Sequence, residues 1–321
     1  MPPDEVLEPL ALGMTAHVFV FVLGALFGSF ANVCIYRWPA GLSVVRPGSR
    51  CGSCETPVSW YDNIPIFSYL ILRGQCRHCR VEFSARYMFV EAAMGMLFVG
   101  AYHFTLIAAY PLEPLSLRML RFVILASFLF VLMVITFIDL DHLLILDLVT
   151  LPAIPLFYAL GLLLPGQGYL EGIIGAVVGY GVPWLIGALY QLIRGRPGMG
   201  LGDSKFLAMV GALYGWQAVF AALFLGSLVG SVIMIPLSLF TDIGHRELPM
   251  DEVEDADEGE HADEGETADE AEHESDDETA ERDDDARPLG EAVIPFGPFL
   301  AIGAGVYAFA EPWLQIRFVG M

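Results

Sequence analysis

Basic residues are scarce in this sequence, and they are missing where a cleavable leader would need them. Ahead of the first apolar run stand Asp4, Glu5 and Glu8 and no Lys or Arg. That is the wrong polarity for the positively charged start of a secretory signal peptide, so none is expected. The chain has no G-x-x-x-x-G-K-[ST] sequence and no G-x-G-x-x-G following a strand pattern. These absences exclude a P-loop and a Rossmann-type cofactor site. Cysteine is sparse, with five in the chain. His142 lies beside Asp139 but has no nucleophile in a suitable setting near it, which argues against Ser–His or Cys–His chemistry. No nucleic-acid partner is expected.

Apolar residues, by contrast, are abundant. Hydrophobic residues make up 55% of the 321 and the mean hydropathy is +0.58, above the ~45–50% of a soluble domain. The formal charge of −22 is concentrated in one place. Between Asp251 and Arg287 there are 21 Asp or Glu and two Arg, which supplies −19 of it. The remainder is nearly neutral and strongly apolar.

A crossing helix needs about 20 apolar residues. Runs at 15–36, 88–109, 119–138, 148–165 and 171–193 meet that measure. The run 205–240 holds two more with a turn at Gly215-Trp216, and 292–314 makes an eighth. The expected architecture is an all-α polytopic membrane protein. Seven of the 16 basic residues (Arg37, Arg46, Arg50, Arg73, Arg77, Arg80 and Arg86) fall within 37–86. By the positive-inside bias this segment is cytoplasmic. Counting onward puts 139–147, 194–204 and 241–291 on the same side. Arg118 and Arg121 fit less well, falling on the outer side. The expected divisions are a first transmembrane helix (1–36), a cytoplasmic cysteine loop (37–87), a membrane core (88–240), an acidic insertion (241–291) and a last transmembrane helix (292–321). The insertion has no aromatics between 251 and 287 and is read as a disordered cytoplasmic spacer, since such a composition cannot bury enough apolar surface to offset ordering entropy.

Cys51-Gly-Ser-Cys54 and Cys76-Arg-His-Cys79 flank 21 residues. Two C-x-x-C knuckles at that separation can set four thiolates tetrahedrally around one structural Zn²⁺. The loop has too little apolar sequence for a core of its own, so the metal would supply its folding energy. A redox pair or plain reduced thiols are the alternatives. His78 is read as exposed rather than a ligand, and Cys34 as a buried inert thiol.

Two carboxylates sit at the edges of apolar runs. Asp139 ends one, in Phe137-Ile-Asp139-Leu-Asp141-His-Leu-Leu-Ile-Leu-Asp147. Asp203 opens another, in Gly198-Met-Gly200-Leu-Gly202-Asp203-Ser-Lys205, where it is read as a helix N-cap. Charge at membrane depth is costly and defaults to function. Asp141 and Asp147 could equally be the wet end of a helix. Together Asp139 and Asp203 could share one proton, activate water and protonate a leaving amine.

With these residues in hand, the chain resembles the type IV prepilin peptidases, or leader peptidase/N-methyltransferases. The resemblance rests on Gly28-Ser-Phe-Ala-Asn32-Val-Cys-Ile-Tyr-Arg37-Trp-Pro39, both cysteine knuckles, and Trp60-Tyr-Asp62-Asn63-Ile-Pro65 between them. It continues through Ser84-Ala-Arg86-Tyr87 to Glu91, the Asp139 block, the G-x-G-D block and Pro295-Phe-Gly297-Pro298-Phe. It implies an aspartic endopeptidase of the inner membrane, with its active site facing the cytoplasm and its core in 88–240. Asp139 and Asp203 would be catalytic, with Gly200, Gly202, Lys205 and Asp147 supporting them. The implied substrates are prepilins or type II secretion pseudopilins, whose basic leaders would meet Asp62, Asp141 and Asp147. Members with the cysteine loop also methylate the new N-terminus with S-adenosylmethionine; Arg86 and Glu91, near the start of the second run, are candidates for holding substrate or that cofactor, the alternative being an interfacial Arg with an ordinary intramembrane partner. One position departs from the family pattern: Leu146 stands where Pro is common, leaving the turn before Asp147 without a helix breaker. An intramembrane G-x-G-D protease, an ion-coupled transporter using the two aspartates as a relay, and a metal-stabilised scaffold are the competing classes. The oligomeric state is not fixed by the sequence.

Overall fold

In the computed structural model, the described residues are 4–110, 112–166, 168–195, 200–240 and 295–318. The acidic insertion and Gly198 lie outside them. Among the described residues the architecture is all-helical: α1 (Asp4–Arg37), α2 (Phe67–Leu72), α3 (Arg86–Tyr102), α4 (Leu115–His142), α5 (Asp147–Gly161), α6 (Tyr169–Arg194), α7 (Leu201–Tyr214), α8 (Trp216–Phe240) and α9 (Gly297–Phe318). The chain divides into a main body, Met1–Met234 with Ile294–Met321, and a second unit, Ile235–Val293. The described residues of the second unit are the last turns of α8.

Among the described residues each expected apolar run is largely helical, although α5 ends at Gly161, short of the expected 165. The predicted turn at Gly215 is present, with φ at 81° in a conformation that suits glycine. Five helical spans are long and apolar enough to cross a membrane: Gly13–Arg37, Arg86–Ala108, Leu115–His142, Tyr169–Arg194 and Trp216–Leu237. The protein is therefore a multi-pass membrane protein. α5 and α7, with 15 and 14 residues, are only about 21–23 Å long at ~1.5 Å per residue, short of a ~30 Å hydrocarbon core. α3 runs directly into a π-helical segment, His103–Ala108, whose Thr105 hydroxyl bonds back to the Ala101 carbonyl at 2.8 Å.

Helices in lipid gain little from hydrophobic association, so small residues that let backbones approach matter more. α1 meets α3 at Gly24 and Gly28, where an added Cβ would sit 2.8 Å from the Met94 carbonyl oxygen and 2.6 Å from the Glu91 Cα. α6 meets α7 at Gly175 and Gly179, where the same atom would fall 2.1 Å from the Gly211 oxygen and 2.2 Å from the Leu207 oxygen. α4 is the most enclosed of the five candidate spans, 61% buried against 39% or less for the others. Its Phe128 packs edge-on against Phe157 of α5 and Tyr214 of α7. The helix that ends in Asp139 is thus the central post of the body.

Candidate active site and four-cysteine centre

Asp139 lies one turn before the end of α4, which stops at Leu143 in the left-handed region, with its N–H donating to the Asp139 carbonyl. The chain then runs extended to Leu146, whose φ of −69° is the value proline would impose. The turn therefore forms without proline, and α5 begins at Asp147.

Asp139 is buried. Its Oδ2 accepts a 2.9 Å hydrogen bond from the Gly297 backbone N–H at the start of α9. A Cβ on residue 297 would stand 2.6 Å from that same oxygen, so any side chain there would push the Asp139 carboxylate aside. Gly297 stands in one of the motifs that carry the family resemblance, but its role as this donor was not readable there, because the contact is made by backbone and needs no polar side chain.

Asp203 is not the N-cap that its place in the sequence suggested. Gly200 holds the cap position, which puts Asp203 at the third residue of α7. There its carboxylate takes the Gly200 backbone N–H, the return arm of a capping box. A carboxylate in the first turn is also favoured by the helix dipole. Asp139 and Asp203 are near enough to act on one another electrostatically.

Two contacts pin the α4–α5 turn to the start of α7. Gly202 abuts the Ile145 side chain, with an added Cβ 2.8 Å from it. Lys205 forms an ion pair with Asp147. Of the supporting residues expected, Gly200, Gly202, Lys205 and Asp147 all fall in this junction.

Arg86 and Glu91, on successive turns of α3, reach different partners. The Arg86 guanidinium forks onto Asp141 at 2.5 and 2.7 Å, donates to the Phe137 carbonyl, and lies 4.8 Å over the Phe137 ring. It clamps the turn of α4 that carries Asp139. Glu91 accepts the Ile66 N–H at 2.8 Å, anchoring the start of α2.

The four cysteines converge, with all four Sγ atoms within 4.8 Å of one another. Cys51 to Cys79 is 3.7 Å and Cys54 to Cys76 is 4.0 Å, and no disulfide links them. A tetrahedral ion with ~2.3 Å bonds to sulfur requires S···S separations of about 3.8 Å. The two knuckles repeat one geometry. Each is closed by an isolated bridge, Arg50 with Pro57 and Gln75 with Glu82, and each second cysteine is followed by a residue at positive φ, Glu55 or Arg80. Hydrogen bonding with Thr56 brings the Cys54 thiol down to about 6. The backbone N–H groups of Cys79 and His78 lower Cys76. This set of sulfurs fits a metal ion. His78 is exposed and Cys34 is buried, as expected. Asp62 is engaged within the loop by a bidentate pair with Arg77, which holds its carboxyl below the ordinary range.

The chain matches two families in sequence: the bacterial peptidase A24 N-terminal domain over residues 22–105, and the type IV leader peptidase family over residues 123–235. It is 35% identical over 263 residues to the prepilin leader peptidase/N-methyltransferase of Stutzerimonas stutzeri, covering 73% of this chain and 84% of that protein. The Neisseria gonorrhoeae protein of the same name is 37% identical over 259 residues, 72% of this chain and 84% of that one. The Myxococcus xanthus protein of that name is 36% identical over 236 residues, 73% of this chain and 66% of that one. No solved structure matches. The first family match takes in the cysteine centre and the second takes in both aspartates, and on these grounds the chain belongs to the type IV leader peptidase family.

Proposed function

We propose that this protein removes the leader from type IV prepilins or type II secretion pseudopilins by two-aspartate hydrolysis. The observation that carries this reading is the meeting of Asp139, at the end of α4, with Asp203, at the start of α7, where one buried carboxylate takes a backbone N–H from α9. One aspartate, ionised, takes a proton from water as the oxygen attacks the scissile carbonyl carbon. The other, protonated, gives its proton toward the departing amine as the C–N bond breaks. No covalent intermediate forms. The Gly297 N–H fixes the orientation of Asp139, and the Lys205–Asp147 pair holds the two helix ends together.

The relatives' shared name supports a second activity, methylation of the new N-terminal amine, with S-adenosylmethionine as donor. Arg86 and Glu91, expected as donor ligands, both have partners within the protein, so we assign them first to positioning α4 and the cysteine loop. Cys51, Cys54, Cys76 and Cys79 would hold a structural Zn²⁺, which when bound ties the two knuckles into one fold. The arginine-rich segment 37–86 supports placement in the inner membrane with the dyad toward the cytoplasm.

The test is to incubate the purified protein with a prepilin, with and without S-adenosylmethionine, and weigh the products. Loss of the leader and gain of one methyl group is the expected result. Asp139→Asn and Asp203→Asn, each still inserted, should lose cleavage by ~10³-fold or more, as removal of an acid or base group does. Full cleavage by either variant would refute the dyad.

A further inference from the structure

The cysteine loop presents an apolar stripe that nothing in its own fold covers. Phe67, Leu70 and Ile71 of α2 are 62%, 58% and 74% exposed, and Trp60 and Ile64 beside them are 80% and 42% exposed. The spacing of the three α2 residues, at i, i+3 and i+4, puts them on one face.

The depth of this stripe follows from how α2 is tied down. Its N-terminal backbone, the Ile66 N–H, bonds to Glu91 of α3, and Glu91 also bonds Ser29 of α1. Glu91 lies five residues into α3 from Arg86, about 7 Å along the axis. Ser29 lies eight residues before the end of α1 at Arg37, about 12 Å. Both helices belong to candidate membrane spans. The start of α2 therefore lies below the ends of two spanning helices, at the level where an interfacial helix buries its apolar face ~5–10 Å into the headgroup boundary.

The charge around the stripe points to the partner. The segment 37–86 has seven arginines against three carboxylates, Glu55, Asp62 and Glu82. Asp62 is taken by Arg77, and Arg73 caps α2 directly and is exposed. An apolar face edged by arginine is what an anionic membrane surface attracts. A protein partner would have to reach the stripe at lipid depth. We propose that α2 is an interfacial anchor: its Phe67–Leu70–Ile71 stripe rests in the bilayer surface, with Arg73 on anionic headgroups, and holds the four-cysteine centre against the membrane.

The test uses the full chain with p-benzoylphenylalanine in place of Ile71, in nanodiscs of phosphatidylcholine with and without phosphatidylglycerol. After irradiation the adducts are identified by mass. Lipid adducts are expected, with phosphatidylglycerol enriched about two-fold or more over its mole fraction, as juxtamembrane arginine attracts anionic lipid. Absence of lipid adducts, or capture of a second copy or of a prepilin instead, would overturn the anchor. Lipid captured only in proportion to its mole fraction would overturn the role of Arg73. The readout is independent of cleavage, so it stands or falls apart from the peptidase reading.

Discussion

Asp139 was legible in the sequence because a charge at the end of an unbroken apolar run has few bland explanations, and the same holds for Asp203. What orients Asp139 was not legible. Gly297 acts through its N–H and through the space a side chain would fill, and neither leaves a chemical signature in the sequence. The consequence can be measured. Gly297→Ala would push a methyl against the Asp139 carboxylate. If Asp139 acts in the dyad proposed above, a misplacement of about 1 Å costs about 10²-fold in rate. We expect that loss in prepilin cleavage, with insertion and thermal stability little changed. Gly181→Ala, where an added Cβ meets nothing, is the matched control and should cleave normally. A second residue-scale prediction concerns Asp62. Its carboxyl is held below the ordinary range by Arg77. The pair's contribution is therefore present above the unfolded carboxyl value of ~3.9 and is lost only as pH falls through the lower folded one. Hydrogen-exchange protection over residues 60–77, taken relative to the intrinsic rate at each pH, should stay flat from neutral pH down to about 5 and fall only below ~4. In Asp62→Asn the protection should be lower throughout and the acid step absent.

Elements were read well where the hydrophobic run is long and poorly where geometry is local. The turn at Gly215 was visible because glycine sits inside an apolar stretch too long for one crossing. The six residues of α2 were hidden, since so short a helix has no period to detect and its start depends on Glu91 from another element. Arg118 and Arg121 ran against the charge bias for a reason the structure supplies. Arg121 forks onto Glu113 and stacks on the Tyr110 ring, and Arg118 donates to the Leu106 carbonyl at the close of the π-helical segment. Both arginines are spent within the protein, so they carry little weight as topology signals. The α6–α7 contact offers the sharpest test at this scale. Gly175 and Gly211 pack backbone to backbone, and a methyl at either forces the helices apart. Gly175→Ala should destabilise the fold by about 1–3 kcal/mol, as overpacking does. It should also slow cleavage, because α7 carries Asp203 in its first turn. A loss of thermal stability with cleavage unchanged would mean that α7 shifts without moving the dyad.

At the scale of the molecule, the two parts are stabilised by different means. The membrane body is held by close helix packing around α4 and by the Lys205–Asp147 pair, to which the segment 43–84 adds little beyond the partly buried Val44. Within residues 43–84 only Cys51, Pro65, Ser68, Gly74 and Cys76 are fully buried, too few to form a core. A metal held by its four sulfurs would then supply the folding energy that the loop's own core lacks. Its ties to the body include the Glu91 bond to Ile66 and the Arg37 guanidinium of α1, which donates to the Ser43 and Gly48 carbonyls, whereas the Arg86 clamp on Asp141 joins α3 to α4 without the loop. Stripping the metal with a chelator, or replacing Cys51 and Cys76 by serine, should thus open 43–84 to proteolysis and leave the helical signal of the body nearly intact. The purified protein should carry one metal ion per chain before treatment and none after. Cleavage should fall by less than about tenfold, or ~1.4 kcal/mol, because Arg86 still reaches α4 from its own helix. Methyl transfer should fall much further if the loop helps build that site. A loss of both activities together, with α1 and α3 still inserted, would show instead that the loop supports the aspartates directly, and the division between a metal-held loop and a self-sufficient peptidase body would have to be abandoned.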